Sequence, residues 1–361
     1  MSDAKILKKL LTCPKLRNML SFTCDYNEGA HPQILKRLME TNLDQEPGYG
    51  FDRFTESARA LIREAAGCPD ADVFLLAGGT QTNATVIDAL LAGYEGVVAA
   101  ETGHIAIHES GAVEFCGHKV LTIPGHSGKI DAAELEAYLR WYHSDPSKDH
   151  IVYPGLVYIS FPTEYGTIYT KAELEAIRAI CDSYGMKLFI DGARLGYGLA
   201  GEGCDITLPG LAGLCDAFYI GGTKVGALCG EAVVFPKGAP AHFFSTVKQH
   251  GALLAKGRLP GIQFETLFTD GLYFEIGRGA VEKAMQLKEI FTKKGIPFHI
   301  DSPTNQQFPI LTKTQAEAIG KQVCFELWEE LPDGRLVTRF ATSWATTQAQ
   351  IDALASIIAN V

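Results

Sequence analysis

Seven short β-branched or aromatic runs, separated by helix-forming stretches, constrain this chain more than any other feature. They are Val73–Ala77, Val97–Ala100, Lys119–Ile123, Leu156–Ser160, Lys187–Ile190, Ala217–Ile220 and Ala232–Phe235. Several of the helices between them have recognisable ends. Thr170-Lys171-Ala172-Glu173 is a capping box leading into Leu174–Ser183, with Gly185 near its close, and Asp131 caps Ala132–His143. Strands joined by helices need crossover connections, so the expectation is an α/β fold with a mainly parallel sheet covered on both faces. An apolar content of 47% is ample for that core and excludes disorder.

After about residue 240 the pattern changes. A long helical region, roughly Ala241–Lys294, is punctuated at Gly257, Pro260 and Gly271. Strands are expected near Phe298–Asp301 and Phe308–Leu311, followed by a helix. A hairpin follows, with Phe325–Glu329 and Leu336–Ala341 joined by an Asp333-Gly334 turn, and a last helix starts at the Thr347–Gln350 capping box. This organisation implies a large α/β domain over residues 46–245 and a smaller α+β C-terminal domain over 246–361. Residues 1–45 are read as an arm packing on the second.

No apolar run approaches the roughly 18 residues of a membrane helix, and the lysine-rich N-terminus has no signal-peptide core. Nine cysteines are scattered without a CxxC pair, a pattern of reduced thiols that points to the cytoplasm. The balance of 32 Lys+Arg against 42 Asp+Glu, net −10, argues against a nucleic-acid surface. No nucleic-acid or membrane partner is expected.

Three strand-end motifs could carry chemistry. Ala77-Gly78-Gly79-Thr80-Gln81-Thr82-Asn83 lies between a strand and a helix starting near Thr82, where bare backbone N–H groups and the helix dipole suit a phosphate. A plain strand–helix turn reads equally well, and the GxxxxGK[ST] loop is absent. Leu188-Phe189-Ile190-Asp191-Gly192-Ala193-Arg194 puts opposite charges at the sheet's carboxyl edge, where open α/β sheets bind ligands; a structural ion pair is the alternative. Tyr219-Ile220-Gly221-Gly222-Thr223-Lys224 places a lysine in a glycine-rich turn. Restricted solvation there would lower its pKa enough for Schiff-base chemistry, or it could serve a phosphate as a point charge.

Other features are weaker. Gly196-Tyr197-Gly198-Leu199-Ala200-Gly201 matches GxGxxG, but Asp191 and Arg194 separate it from its strand. It reads as a flexible loop rather than a dinucleotide site. His104 and His108 have helical metal-ligand spacing without the glutamate of HExxH, so no metal is expected, and an imidazole lying on a ligand ring is the more useful reading. Arg339, in an apolar strand, suits either a carboxylate ligand or solvent.

In order, GGTQTN, GHIAIHESGA, FIDGARLGYGLA, YIGGTKVGALCGEAVV and VTRFATSW resemble the low-specificity L-threonine aldolase and β-eliminating lyase family of pyridoxal phosphate (PLP) enzymes. The resemblance runs from Phe22 to the final helix. It implies fold type I, the aspartate-aminotransferase architecture with a seven-stranded sheet. It also implies cleavage of the Cα–Cβ bond of threonine, allo-threonine or a related β-hydroxy amino acid to glycine and an aldehyde. Another PLP reaction on the same scaffold, β-elimination or transamination, is the alternative, and a catalytically silent PLP-binding protein is a third. By resemblance Lys224 would carry the cofactor as a Schiff base, Asp191 would pair with its ring nitrogen, and His104 would stack on the ring. Gly79, Thr80, Gln81 and Thr223 would hold the phosphate, and Arg194 and Arg339 the substrate carboxylate.

The chain departs from the family where Thr163-Glu164-Tyr165 replaces Thr-His-Asn, removing the histidine that handles the substrate hydroxyl. Glu164, His108 and His31 are the candidate replacements. Cys24-Asp25-Tyr26 stands for the family's Ser-Asp-Thr, and His108 stands where an aromatic residue is common. Family members are dimers or tetramers, so a homodimer or homotetramer is expected, with Gly48-Tyr49-Gly50 and Lys248–Arg258 at the interface. Tyr49, Lys256 and Arg258 would approach the neighbouring cofactor.

Overall fold

A computed structural model describes residues 19–361; the part of the expected arm up to residue 18 lies outside the described residues. Strand β1 (Leu20–Ser21) precedes the seven strands of the central sheet. These are β2 (Asp72–Leu76), β3 (Glu95–Ala100), β4 (Val120–Ile123), β5 (Tyr153–Ser160), β6 (Lys187–Asp191), β7 (Ala217–Gly221) and β8 (Glu231–Phe235). Their order is β2-β8-β7-β6-β5-β3-β4. Strands β3 to β7 run parallel, and β8 alone runs against both its neighbours. The Gly222–Gly230 connection is too short for a crossover helix, so β8 must return antiparallel.

Alternation along the strands builds a core on each face. Val157, Ile159, Leu188, Ile190 and Ile220 pack on one side, while Leu156, Tyr158, Phe189, Tyr219 and Val233 meet Val86 and Ile87 of helix Gly79–Leu90 on the other. The polar ends of Tyr158 and Tyr219 therefore fall on the same face as Asp191.

Five further strands follow, β9 (Gln306–Gln307), β10 (Ile310–Leu311), β11 (Val323–Cys324), β12 (Glu326–Glu330) and β13 (Leu336–Ala341), of which all but β11 form a smaller sheet. Strand β13 pairs antiparallel with β9, β10 and β12, while β1 pairs in parallel with β11. That pairing places Phe22 in a third core with Phe291, Phe340 and Leu354. The strand expected near Phe298–Asp301 is reduced to one bridge, Phe298 to Pro309. Bonds from the His299 N–H to the Phe308 carbonyl and from the Ile310 N–H to the Pro297 carbonyl flank that bridge, and Pro297 has no N–H to return the second and extend the ladder. The long helical region is three helices, Phe243–Gln249, Arg258–Phe268 and Leu272–Lys293, broken at Gly251 and Gly271, both in the left-handed region. Pro260 causes no break because it falls in a first turn. Among the described residues no helix is long and apolar enough to cross a membrane.

The GxGxxG match is a correction. Gly196 and Gly198 lie in a short buried helix, Leu195–Leu199, rather than a loop. A Cβ on Gly198 would come 2.8 Å from Pro162, and one on Gly277 would strike the Gly196 carbonyl at 2.3 Å. These glycines serve close packing, and no dinucleotide turn is present.

Candidate active site

The carboxyl ends of β5, β6 and β7 and the turn after β2 open on one cleft of about 310 Å³. Their approach depends on two glycines. A Cβ on Gly192 would stand 2.0 Å from the Tyr219 carbonyl, and one on Gly221 2.2 Å from that of Ala193. Glycine there lets the turns bearing Asp191 and Lys224 close on each other.

The phosphate turn is the helix end itself. Helix Gly79–Leu90 begins at Gly79 rather than near Thr82, because Gly78, extended, accepts the Thr82 N–H as N-cap. Gly78, Gly79 and Thr80 line the cleft, and a Cβ on Gly78 would meet no atom within 4 Å. The wall is bare backbone with first-turn N–H groups to offer an anion. Gln81 turns away, its Nε2 donating to the His250 carbonyl at 3.1 Å.

Asp191 is buried at the cleft floor. Its Oδ2 accepts from Tyr158 Oη at 2.5 Å and Asn83 Nδ2 at 2.9 Å, and its Oδ1 from the Ala193 N–H at 2.9 Å. Burial works against its charge, but His104 and the donors Tyr158, Tyr219 and Asn83 outweigh it and hold the carboxyl below the usual range. Asn83 also donates to Glu109 Oε1 at 2.8 Å, which accepts His104 Nδ1 at 2.7 Å. Ring and carboxylate are thus fixed by one buried network. Against burial, Glu109 and Asp191 push the His104 imidazole upward.

Lys224, part-buried, makes no hydrogen bond through Nζ among the described residues. Burial and then Arg194 push its ammonium below the ordinary lysine range. Thr223 beside it donates to Glu231 at 2.8 Å. Arg194 gives Nε and Nη2 to Asp25, leaving Nη1 free of partners among the described residues. Glu164 Oε1 accepts the His104 N–H at 2.9 Å and the Ser160 hydroxyl at 2.7 Å, whereas its buried Oε2 has no partner among the described residues. Burial raises the Glu164 carboxyl.

Lys224, Asp191, His104, Glu164, Arg194, Gly79, Thr80 and Thr223 therefore share one cleft. Arg339 and Gln81 do not line it. Arg339 is buried on Gln306, the Thr23 carbonyl and Glu326, and lies 5.4 Å over the Trp328 ring. His108 is exposed, its ring 5.5 Å from that of His104. His31 caps helix Pro32–Glu40 and edges Trp344 at 5.7 Å. Arg258 is spent within the chain on the Asp44 and Thr41 carbonyls, while Tyr49, whose ring lies under Lys248, and Lys256 are exposed.

Asn83, Glu109, Tyr158, Tyr219 and Glu231 escaped the sequence reading as individual site residues. Each lies within or beside a motif already noted, but only the shared sheet face joins them.

The beta-eliminating lyase family model matches residues 23–267. A low-specificity L-threonine aldolase of Pseudomonas sp. (strain NCIMB 10558) is 30% identical over 346 residues, covering 94% of this chain and 97% of that protein. The structure of Leishmania major threonine aldolase superposes with a TM-score of 0.90 at 42% identity, covering 94% of this chain and 99% of that one. A Thermus thermophilus aspartate aminotransferase shares the fold, with a TM-score of 0.70 at 14% identity over 99% of this chain and 95% of its own. With a match across most of its length and a strand-end aspartate facing a glycine-flanked lysine, the chain belongs to the β-eliminating lyase family of PLP-dependent, fold type I enzymes.

Proposed function

We propose that this chain cleaves the Cα–Cβ bond of L-threonine, L-allo-threonine or a related β-hydroxy amino acid, releasing glycine and an aldehyde. The observation that carries this reading is a Lys224 without a hydrogen-bond partner among the described residues and a buried, ionised Asp191, in one cleft beside a bare helix N-terminus. These residues fit PLP. Lys224 Nζ would be its covalent attachment point, and Asp191 would keep its ring nitrogen protonated. The Gly79 and Thr80 amides with Thr223 would take its phosphate, and His104 would lie against its ring. When bound, PLP supplies an electron sink for the pair left at the substrate Cα.

The chain's own residues do the rest. Lys224, held below the usual range, offers a free amine nearer neutrality. Arg194, oriented by Asp25, presents Nη1 to the substrate carboxylate and so fixes which Cα bond is aligned for cleavage. Arg339, which donates to the Thr23 carbonyl two residues before Asp25, would steady the segment that orients Arg194, and Gln81 would steady the phosphate helix through His250. Glu164 is anchored through Oε1, and Oε2 is the atom we assign to take the β-hydroxyl proton. Its raised pKa suits a group that both accepts and returns a proton.

A cytoplasmic homodimer or homotetramer completes the reading, supported by exposed Tyr49, Phe51 and Phe244 beside the Lys248–Arg258 segment. We place its domain border near residue 245. The test is product analysis over a panel of β-hydroxy amino acids. Equal amounts of glycine and aldehyde are expected; ammonia with a keto acid, or amino transfer to an acceptor, contradicts the assignment.

A further inference from the structure

The turn that carries Lys224 rests on a carboxyl group to which the proposed chemistry gives no role. Glu231 opens β8 in register with Leu76 of β2 and Gly221 of β7, so it lies next to the Ala77–Gly79 turn and lines the same cleft. It is only 4% exposed. Its Oε1 stands 2.8 Å from Thr223 Oγ1 and its Oε2 3.1 Å from the Gly222 N–H. Thr223 Oγ1 also accepts the Gly230 N–H at 3.1 Å.

A hydroxyl has one proton to donate. While Glu231 is ionised it accepts the Thr223 hydroxyl's one hydrogen bond, and Thr223 offers the cleft no donor. With a proton on Oε1, Glu231 donates to Thr223 instead, and the threonine hydroxyl proton is released toward the cleft. An ionised carboxylate would in addition repel a phosphate in the same space.

We propose that Glu231 is a positioning residue for the cofactor's phosphate, a neutral acid that turns the Thr223 hydroxyl into the cleft and makes cofactor binding proton-linked. This rests on the PLP reading above. The groups facing Glu231 are Lys224, which favours its charge, Asp191, which opposes it, and the phenols of Tyr219 and Tyr273. Burial is the largest influence and pushes its carboxyl up to about 8.

Pyridoxine 5′-phosphate has the ring and phosphate but no aldehyde to react with Lys224, so it reports non-covalent binding, and the comparison of wild type with Glu231→Gln isolates the Glu231 contribution. It would be titrated into the cofactor-free full-length protein by tryptophan fluorescence. In Glu231→Gln the amide N–H donates to Thr223 at every pH, mimicking the neutral acid. Between pH 7 and pH 9 the wild-type affinity should fall about tenfold more than that of Glu231→Gln. Thr223→Val should bind more weakly than wild type at pH 7, and adding Glu231→Gln to it should change nothing further. Parallel pH dependence in wild type and Glu231→Gln, or full affinity in Thr223→Val, overturns the proposal and leaves the cofactor reading standing. No binding by wild type at either pH overturns both.

Discussion

Arg194 is clasped by Asp25 through two hydrogen bonds, Nε to Oδ2 at 2.7 Å and Nη2 to Oδ1 at 3.0 Å. Asp25 is fully buried and also accepts the Asn305 amide at 2.9 Å. The pair ties the segment after β1 to the end of β6 and leaves one edge of the guanidinium for a ligand. The sequence suggested an internal Asp191–Arg194 pair as the structural alternative; the acid that binds Arg194 is Asp25.

Asp25→Ala strands a buried guanidinium. It should cost about 3–5 kcal/mol of stability and raise KM for substrate, read by urea denaturation and initial rates. Burial alone would raise the Asp25 carboxyl, but Arg194 prevails and holds it at about 2, against an ordinary 3.8. A carboxyl lowered on folding contributes stability that is full above about pH 4 and is lost as pH falls toward about 2. Acid denaturation of wild type should show this component, and the variant should lack it.

Glu164→Gln keeps the shape of the site and removes the proton acceptor. The expected result is a fall in kcat of about 10²–10⁴ with cofactor binding intact. Because the carboxyl is raised, the wild-type rate should decline on the acid side as Glu164 protonates, and the variant should lose that limb. Undiminished turnover would move the role to another group such as His108.

Asp191→Asn retains most of the hydrogen-bonding shape but not the charge. A loss of at least about 100-fold in kcat is expected. Circular dichroism should show an unchanged fold, and absorbance titration should show altered bound cofactor.

Gly192→Ala would force a methyl to 2.0 Å from the Tyr219 carbonyl, so we expect destabilisation of at least about 1–3 kcal/mol in thermal or urea unfolding. Gly213→Ala, with nothing within 4 Å, is the control. It sits in helix Leu208–Leu214 and should be neutral or stabilising by up to about 1 kcal/mol.

The seven sheet strands were legible because each is a short β-branched or aromatic run between helix signals. Their order was not, since pairing of β2 with β8 joins distant segments. Lys224, Asp191 and Arg194 could be singled out because charge at a strand end among glycines is unusual chemistry in one dimension. Asn83, Glu109 and Tyr158 could not, because their roles exist only once helix Gly79–Leu90 is laid across β5 and β6. The strand expected at Phe298–Asp301 failed for a local reason: Pro297, just before it, accepts the Ile310 N–H but has no N–H to return, so the pairing stops at one bridge.

The most direct test of a PLP site centred on Lys224 is borohydride reduction of the cofactor-loaded protein, followed by peptide mass mapping. The account predicts a pyridoxyl label on the peptide containing Lys224 and its disappearance in Lys224→Ala. A label on a different lysine, or none after loading, would contradict it.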